Sequence, residues 1–157
     1  MVSHTILLNK LKDLGITGTA LKMFKSYLRN RLQVVKVGRF QSSPRAIKFG
    51  IPQGSVLGPL LFLIYVNNIS KIGLTGHITL YADDTCLFYF GRNLPDLLKQ
   101  AQTDLFKFNI WCQSNLLTIN TKKTSYMIFC AKHKKKTNYT PLTLITYQYI
   151  AHTRKII

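Results

Sequence analysis

The sequence has no glutamate and few acidic residues of any kind: five aspartates stand against 22 lysines and arginines in 157 residues. The net charge of +17 lies far outside what a soluble metabolic enzyme needs. The basic side chains would repel one another in the folded chain unless a polyanion were present. The charge therefore favours nucleic acid as the partner. Two alternatives stay open at this point, namely an anionic membrane surface and a skew produced by A/T-rich coding.

Cysteine and histidine are also scarce. The three cysteines, Cys86, Cys112 and Cys130, lie too far apart for a C-x-x-C metal pair and fit no disulfide framework, so we expect reduced thiols in an intracellular chain. The four histidines are equally scattered, which argues against a zinc site.

Long apolar runs are missing as well. The longest, "LGPLLFLIYV", has about half the length that a membrane-spanning helix requires. The start, "MVSHTILLNKLK", lacks the basic-then-apolar layout of a signal peptide. The sequence therefore indicates neither secretion nor membrane insertion, and we expect an intracellular location, nucleus or cytoplasm, without a membrane partner.

The residues that are present suffice for one folded domain, since 46% are hydrophobic and 17 are tyrosine or phenylalanine (8 plus 9). Ser3 can cap a first helix that stops at Gly15, and a second helix carries an apolar stripe from Leu21 to Leu28. Residues 33–49 resemble two short strands around a turn. Residues 56–69 are apolar on nearly all sides, which predicts a buried helix.

The second half of the chain continues the mixed pattern. A strand pair is expected around "LYADDTCLFYF", and three- and four-residue apolar spacing predicts the longest helix over residues 94–116. "LTINTKKTSYMIF" predicts a turn between two strand-like pieces, and "AKHKKKTNYTP" a basic stretch that leaves the compact part. The last residues alternate like a strand for which the sequence offers no partner. The order of elements indicates an α+β fold.

Asp83 and Asp84 stand side by side in an apolar run, although acidic residues are rare in this chain. A plain hairpin turn is one explanation, but two-residue turns favour Asn-Gly or Asp-Gly, and adjacent like charges repel. A divalent metal would offset that repulsion, because Mg²⁺ takes carboxylate and phosphate oxygens, and two such ions can clamp a phosphoryl transfer. Spacing alone leaves both explanations open.

The surrounding blocks extend the interpretation. "GIPQGSVLGPLLFLIYVNNI" resembles the template-binding motif of reverse transcriptases, and "YADD" resembles the catalytic motif of their non-LTR, LINE-type retrotransposon branch. "SHTILLNKLKDLGITG", "FKSYLRNRLQVVKV", "WCQSNLLTIN" and "KKTSYMIF" resemble further blocks of that family, so the resemblance covers about residues 2–130. A lone YxDD would be common by accident, whereas this series of blocks is not.

The resemblance implies roles for particular residues. Asp83 and Asp84 would hold the catalytic metal ions, Mg²⁺ or alternatively Mn²⁺, and Lys123 would act near the incoming triphosphate. The residues implied to contact nucleotide and template are Pro52, Gln53, Gly54, Ser55, Tyr81 and Ala82. Gly54 would let the backbone approach the nucleic acid, and Ser55 would cap the next helix. An ordinary loop at 52–54 and solvated lysines around 123 are the alternatives without the resemblance.

The family pattern also has parts that this sequence does not show. Members carry a further catalytic aspartate on a strand before the block that begins here at Val2, and the residue that screens ribose from deoxyribose belongs to that same segment. Fingers, primer grip and thumb have no counterpart here. We therefore expect the 157-residue chain alone to be inactive, as a part of a longer polyprotein.

The resulting expectation is a polymerase-palm-like α+β fold, with a small antiparallel sheet bearing the aspartate hairpin and helices packed on one face. Residues 1–130 would form a partial reverse transcriptase domain, and residues 131–157 a basic, irregular tail. The implied activity is RNA-directed DNA synthesis, with RNA template, DNA primer and deoxynucleoside triphosphates as partners. A non-catalytic nucleic-acid-binding remnant and a domesticated interaction module are the alternative functions.

Overall fold

In the computed structural model of the chain, residues 2–129 are described, together with the backbone of three short strands at 144–146, 149–151 and 154–156. The chain divides into two units. The first contains residues 1–68 and 115–117, and the second contains residues 69–114 and 118–157. The described part holds four α-helices and ten short strands, which confirms the mixed helix and strand composition expected from the sequence.

The first unit begins with two helices, α1 (His4–Asp13) and α2 (Gly18–Leu28). Ser3 precedes α1 as expected, although its side chain makes no cap hydrogen bond. Leu7 and Leu11 are buried because residues four apart lie on the same helix face. Gly15 follows α1 with a φ of 84°, a left-handed conformation that glycine adopts without steric cost, and this ends the helix.

Between α2 and α3 the chain forms four two-residue strands in place of the two expected. β1 (Leu32–Gln33) pairs with β4 (Arg45–Ala46), and β2 (Lys36–Val37) pairs with β3 (Phe40–Gln41) inside them. The ladder is interrupted where the Val35 N–H donates to the Ser42 hydroxyl at 2.9 Å. A side-chain acceptor at this position competes with the regular strand ladder, which explains the division.

Helix α3 (Leu57–Val66) continues into a 3₁₀ helix, Asn67–Ile72. Leu61 and Tyr65 are fully buried, but Leu60 and Leu63 are each 52% exposed. The expected burial on nearly all sides is therefore wrong for the described chain. The reason is that α1 packs against α3, and one neighbour covers one face of a helix.

A lysine inside the first unit ties its elements together. Lys10 Nζ donates to Asn115 Oδ1 at 2.6 Å, to Asn68 Oδ1 at 2.8 Å and to the Tyr65 carbonyl. The Tyr65 hydroxyl donates to the Asn115 carbonyl at 2.5 Å. Burial lowers the pKa of Lys10 to about 8. These bonds hold α1, the end of α3 and residues 115–117 in one unit.

The second unit contains an antiparallel hairpin, β5 (His77–Tyr81) with β6 (Asp84–Phe88), and the long helix α4 (Leu94–Ser114). The predicted long helix is confirmed. Its buried residues include Ala101, Trp111 and Cys112. Burial raises the pKa of the Cys112 thiol to about 12, so this thiol stays protonated and serves as an apolar core group.

The remaining strands follow α4. Of the two strand-like pieces expected around "NTKKT", only the second is a strand, β7 (Tyr126–Ile128), whereas residues 117–120 are irregular. Leu116 has a φ of 52°, which turns the chain just after α4 and does not suit an extended strand. β8 (Leu144–Thr146) and β9 (Tyr149–Ala151) form a hairpin.

The final strand has a partner, contrary to the expectation from sequence. β10 (Arg154–Ile156) pairs in parallel with β7, a long-range pairing that sequence alternation does not reveal. The predicted boundary between residues 130 and 131 stays a prediction, and Cys130 and residues 131–143 lie outside the described residues. The described strands form five two-stranded pairs. The expected single palm-like sheet is therefore not seen as one sheet, and the palm assignment stays a prediction.

Candidate functional site

The two adjacent aspartates lie at the tip of the β5–β6 hairpin. Tyr81 pairs with Asp84, so Ala82 and Asp83 form a two-residue turn. Ala82 has a φ of 51°, a left-handed conformation that costs a residue with a Cβ about 1–2 kcal/mol. The residues thus do form a tight hairpin turn, and the absence of glycine did not prevent it. The strain is tolerated at the tip, because β5 and β6 hold their register over five pairs.

Both carboxylates are accessible. Asp83 and Asp84 are exposed, and Tyr81 beside them is 82% exposed. Two adjacent carboxylates at an open turn are hard oxygen ligands of the kind that Mg²⁺ and Mn²⁺ prefer. Within the described residues, no three His, Cys or Asp side chains come together as a metal-binding group. The hairpin tip therefore exposes two adjacent carboxylates to solvent.

The predicted template loop lies in the first unit. Gly54 has a φ of 73°, and a Cβ built there would meet no atom within 4 Å, so its backbone conformation rather than crowding demands glycine. Gln53 and Gly54 are exposed, whereas Pro52 and Ser55 are half-buried. The hairpin lies in the second unit, and each part of the predicted site is described within its own unit.

Ser55 organises the start of α3. Its hydroxyl donates to the Pro52 carbonyl at 2.7 Å and accepts the N–H of Gly58 at 3.1 Å. The second bond is the kind that a capping serine makes to a free N–H in the first turn of a helix. Val56 stands at the formal cap position, one residue later. Ser55 thus fixes the loop 52–55 to the helix that follows.

Lys123 lies in a turn of the second unit. Its backbone N–H donates to the Asn120 carbonyl at 3.1 Å, and the Thr124 hydroxyl donates to the same carbonyl at 2.9 Å. The Lys123 side chain is exposed, and within the described residues it forms no ion pair with either aspartate of the hairpin. The Lys123 amine is therefore accessible to a dissolved ligand.

One residue connected to the hairpin was missed by the sequence argument. Asp104 on α4 is completely buried, and it accepts hydrogen bonds from Thr75 and Gly76 just before β5 and from Tyr89 just after β6. A signal existed: Asp104 is one of only five acidic residues, and it interrupts the apolar spacing of α4 between Ala101 and Phe108.

Among the described residues, no helix is long and apolar enough to cross a bilayer.

The chain is similar to known proteins along most of its length. It matches the family described as "Reverse transcriptase (RNA-dependent DNA polymerase)" over residues 1–145. Three relatives come from Drosophila melanogaster. It is 31% identical over 138 residues to the "Probable RNA-directed DNA polymerase from transposon BS" and 32% identical over 116 residues to that from transposon X-element. It is 30% identical over 112 residues to the "RNA-directed DNA polymerase from mobile element jockey".

The matches cover most of this chain and a small part of each relative. They span 83%, 71% and 67% of this chain and 15%, 13% and 12% of the three relatives, in the same order. No solved structure matches the chain.

Proposed function

Because this chain belongs to the reverse transcriptase family and is similar to polymerases of non-LTR transposons, we propose that it serves RNA-directed DNA synthesis. The substrates are deoxynucleoside triphosphates, added to a DNA primer on an RNA template. In this proposal residues 1–157 supply part of the polymerase site of a longer protein. The observation that carries the proposal is the hairpin tip, where Asp83 and Asp84 are adjacent, exposed and held by a five-pair ladder.

Asp83 and Asp84 bind Mg²⁺ in this proposal, and Mn²⁺ can replace it. Bound metal would neutralise the triphosphate and polarise the reacting phosphate. The chain's own contribution is to present two carboxylate groups at the tip of a short hairpin. Tyr81 and Ala82 line the same tip, where they contact the nucleotide.

Lys123 and the loop 52–55 position the substrates. The exposed Lys123 amine approaches the triphosphate, where it screens charge or donates a proton to the departing pyrophosphate. At Gly54 the backbone passes close to template and nucleotide, Gln53 offers its amide, and Pro52 and Ser55 hold the turn. The bond from Ser55 to the start of α3 supports this role because it fixes the loop.

We also propose that residues 1–157 do not extend a primer by themselves. Two-metal nucleotidyl transfer requires two ions held within fractions of an ångström, and two neighbouring carboxylates do not fix both of them. The surrounding charge of +17 further weakens the attraction for a divalent cation, although bound nucleic acid partly neutralises it.

The test of the metal role is a Mn²⁺ titration of the isotope-labelled chain. Paramagnetic broadening should be strongest at the amides of residues 81–85 and should be lost in Asp83→Asn and in Asp84→Asn. Asp96→Asn is the matched control, because Asp96 is exposed and the change removes the same charge elsewhere. Broadening that persists in both hairpin variants would contradict the metal role.

Primer extension on an RNA template with Mg²⁺ tests the proposed polymerase function and the proposed inactivity of the isolated chain. We expect binding without incorporation for residues 1–157. Incorporation that Asp83→Asn abolishes would support the polymerase function and contradict the proposed inactivity of the isolated chain.

A non-catalytic nucleic-acid-binding role is the second candidate, and the charge of +17 favours it. It predicts salt-sensitive binding with no metal effect at the hairpin tip, whereas an interaction module without nucleic-acid function predicts neither.

A further inference from the structure

The open end of the aspartate hairpin is joined to α4 through one buried carboxylate. Asp104 Oδ2 accepts the N–H of Thr75, the hydroxyl of Thr75 and the N–H of Gly76, each at 2.9 Å. It also accepts the hydroxyl of Tyr89 at 3.0 Å. Thr75 and Gly76 lead into β5 and Tyr89 follows β6, so the ends of both strands meet the same oxygen atom.

A second bond reinforces this attachment one helical turn later. Lys107 Nζ donates to the Gly73 carbonyl at 2.7 Å and lies 4.0 Å from Asp104 Oδ1. Asp104 and Lys107 are three residues apart and therefore share a face of α4. That face carries a polar attachment for residues 73–76.

The packing at the hairpin base is as tight as the hydrogen bonding. A Cβ added to Gly76 would lie 2.5 Å from the Tyr89 ring, a distance that non-bonded atoms do not tolerate. Glycine is therefore needed for the Tyr89 ring to pass and for its hydroxyl to reach Asp104. The two strand ends and the helix are thus matched in shape as well as in polarity.

An ionised carboxylate suits this position. It is completely buried and accepts four hydrogen bonds, and a carboxylate left without partners there would be strongly destabilising. Burial alone would raise the pKa of Asp104, but the bonds from Gly76, Thr75 and Tyr89 outweigh it and hold the pKa below its ordinary value of 3.8. Burial raises the pKa of Tyr89 above its ordinary value, and the hydrogen bond to Asp104 and the negative charge of that carboxylate raise it further.

The hairpin needs such an anchor. A two-stranded hairpin is marginally stable alone, and β5 and β6 pair only with each other in the described part of the chain. Five residues at about 3.3 Å each separate the base from the tip by about 16 Å. A tilt of about 10° at the base would move the tip by about 3 Å, whereas metal sites tolerate about 0.5 Å.

We propose that Asp104 is a positioning residue, which sets the orientation of the β5–β6 hairpin on α4 and thereby the placement of Asp83 and Asp84. The catalytic consequence rests on the proposed function, but the mechanical claim does not. Asp104 contacts neither metal nor nucleotide and acts through Thr75, Gly76 and Tyr89.

Amide hydrogen exchange tests the mechanical claim. All four donors meet Asp104 Oδ2, and within the described part of the chain Oδ1 accepts no hydrogen bond. In Asp104→Asn the amide oxygen can take the place of Oδ2, but it lacks the negative charge that strengthens the four bonds. We expect exchange at residues 77–88 to accelerate about tenfold or more, the ratio that corresponds to loss of one charge-assisted hydrogen bond. Exchange in α1 should be unchanged. Asp96→Asn, which removes the same charge at an exposed position of α4, should leave the hairpin unchanged.

Two further variants separate positioning from general loss of stability. Ala101→Gly weakens α4 at a buried site that makes no hydrogen bond to the hairpin, so it should lower stability without selectively accelerating residues 77–88. Tyr89→Phe removes only one of the four donors and should give a smaller, selective acceleration. It keeps the proposal testable if Asp104→Asn does not fold.

Mn²⁺ broadening then distinguishes the two proposals. Asp104→Asn should weaken and spread the broadening at residues 81–85 while both tip aspartates are intact. If broadening is unchanged in both Asp83→Asn and Asp84→Asn, the metal role is wrong, but selective exchange in Asp104→Asn would still support the anchor. If neither Asp104→Asn nor Tyr89→Phe changes exchange at residues 77–88 beyond the Ala101→Gly control, the anchor is refuted.

Discussion

The contribution of Asp104 to the free energy of unfolding should fall as the pH is lowered. Its pKa is lowered in the folded chain, so its contribution is complete above the ordinary value of 3.8 and is lost as pH falls through the lower folded value. We expect the difference in unfolding free energy between wild type and Asp104→Asn to shrink between about pH 6 and about pH 3. Urea unfolding followed by the fluorescence of Trp111, the one tryptophan, measures it.

Asp96 is the comparison for that experiment. It is exposed in the first turn of α4, where its carboxylate accepts one hydrogen bond from Asn93 Nδ2 at 2.6 Å, so Asp96→Asn should lower the unfolding free energy only slightly. A constant difference between wild type and Asp104→Asn across the range would contradict the ionised, hydrogen-bonded state of Asp104.

Gly54 is constrained by backbone conformation. With a φ of 73° and open space around the missing Cβ, Gly54→Val should cost about 1–2 kcal/mol of local strain without a clash. Under the proposed function it should weaken primer-template binding more than it lowers the melting temperature. Gly15→Val is the matched control, because Gly15 has a φ of 84° and equally open surroundings at the end of α1. Equal binding by both variants would remove the assigned role of the loop.

Helix α3 has one face inside the first unit and another outside it. Leu61 is fully buried, so Leu61→Ala should lower the unfolding free energy by about 2–5 kcal/mol. Leu63 lies on the same helix and is half exposed, so Leu63→Ala should change it by about 0.5 kcal/mol or less. Thermal unfolding followed by circular dichroism compares the pair. Similar losses in both variants would show that α3 is covered on both faces.

At the base of the β5–β6 hairpin, the addition of a single methyl group tests the close packing of Gly76 against Tyr89. Gly76→Ala would force the Tyr89 ring away, because the new Cβ would lie 2.5 Å from it. The Tyr89 hydroxyl would then lose its hydrogen bond to Asp104. We expect faster exchange at residues 77–88, as in Tyr89→Phe, and no added loss when both changes are combined. An additive double mutant would mean that the two changes act independently.

The charge of the whole chain predicts its response to salt. Contacts to phosphates release counterions, so affinity for single-stranded RNA should fall steeply between about 50 and about 200 mM salt, with little sequence preference. Filter binding gives the slope of log affinity against log salt. Binding to anionic lipid vesicles, measured in parallel, tests the membrane alternative. A flat slope, or no RNA binding, would show that the positive charge has another purpose.

The helices α1, α2 and α4 and the strand pair around "LYADDTCLFYF" follow from the sequence, because the spacing of apolar residues acts over a few positions. The tight turn at Ala82 and Asp83 does not follow from turn chemistry, which favours glycine there. The motif blocks likewise identify the family, since "PQG" and "YADD" are contiguous. The site assignments on them stay predictions. Local pattern was less informative for α3, whose uniform apolarity does not specify which face finds a neighbour, and for residues 33–49, where the Ser42 side chain divides the strands.

Only the tertiary structure decided which groups donate hydrogen bonds to Asp104. Its donors come from residues 29, 28 and 15 positions away, and sequence spacing on α4 predicts only that an acidic group lies on an apolar face. A buried charge is stable where several donors converge, and that convergence is a property of packed elements rather than of any segment. The parallel pairing of β10 with β7 has the same origin, because strand partners are chosen by proximity in the fold.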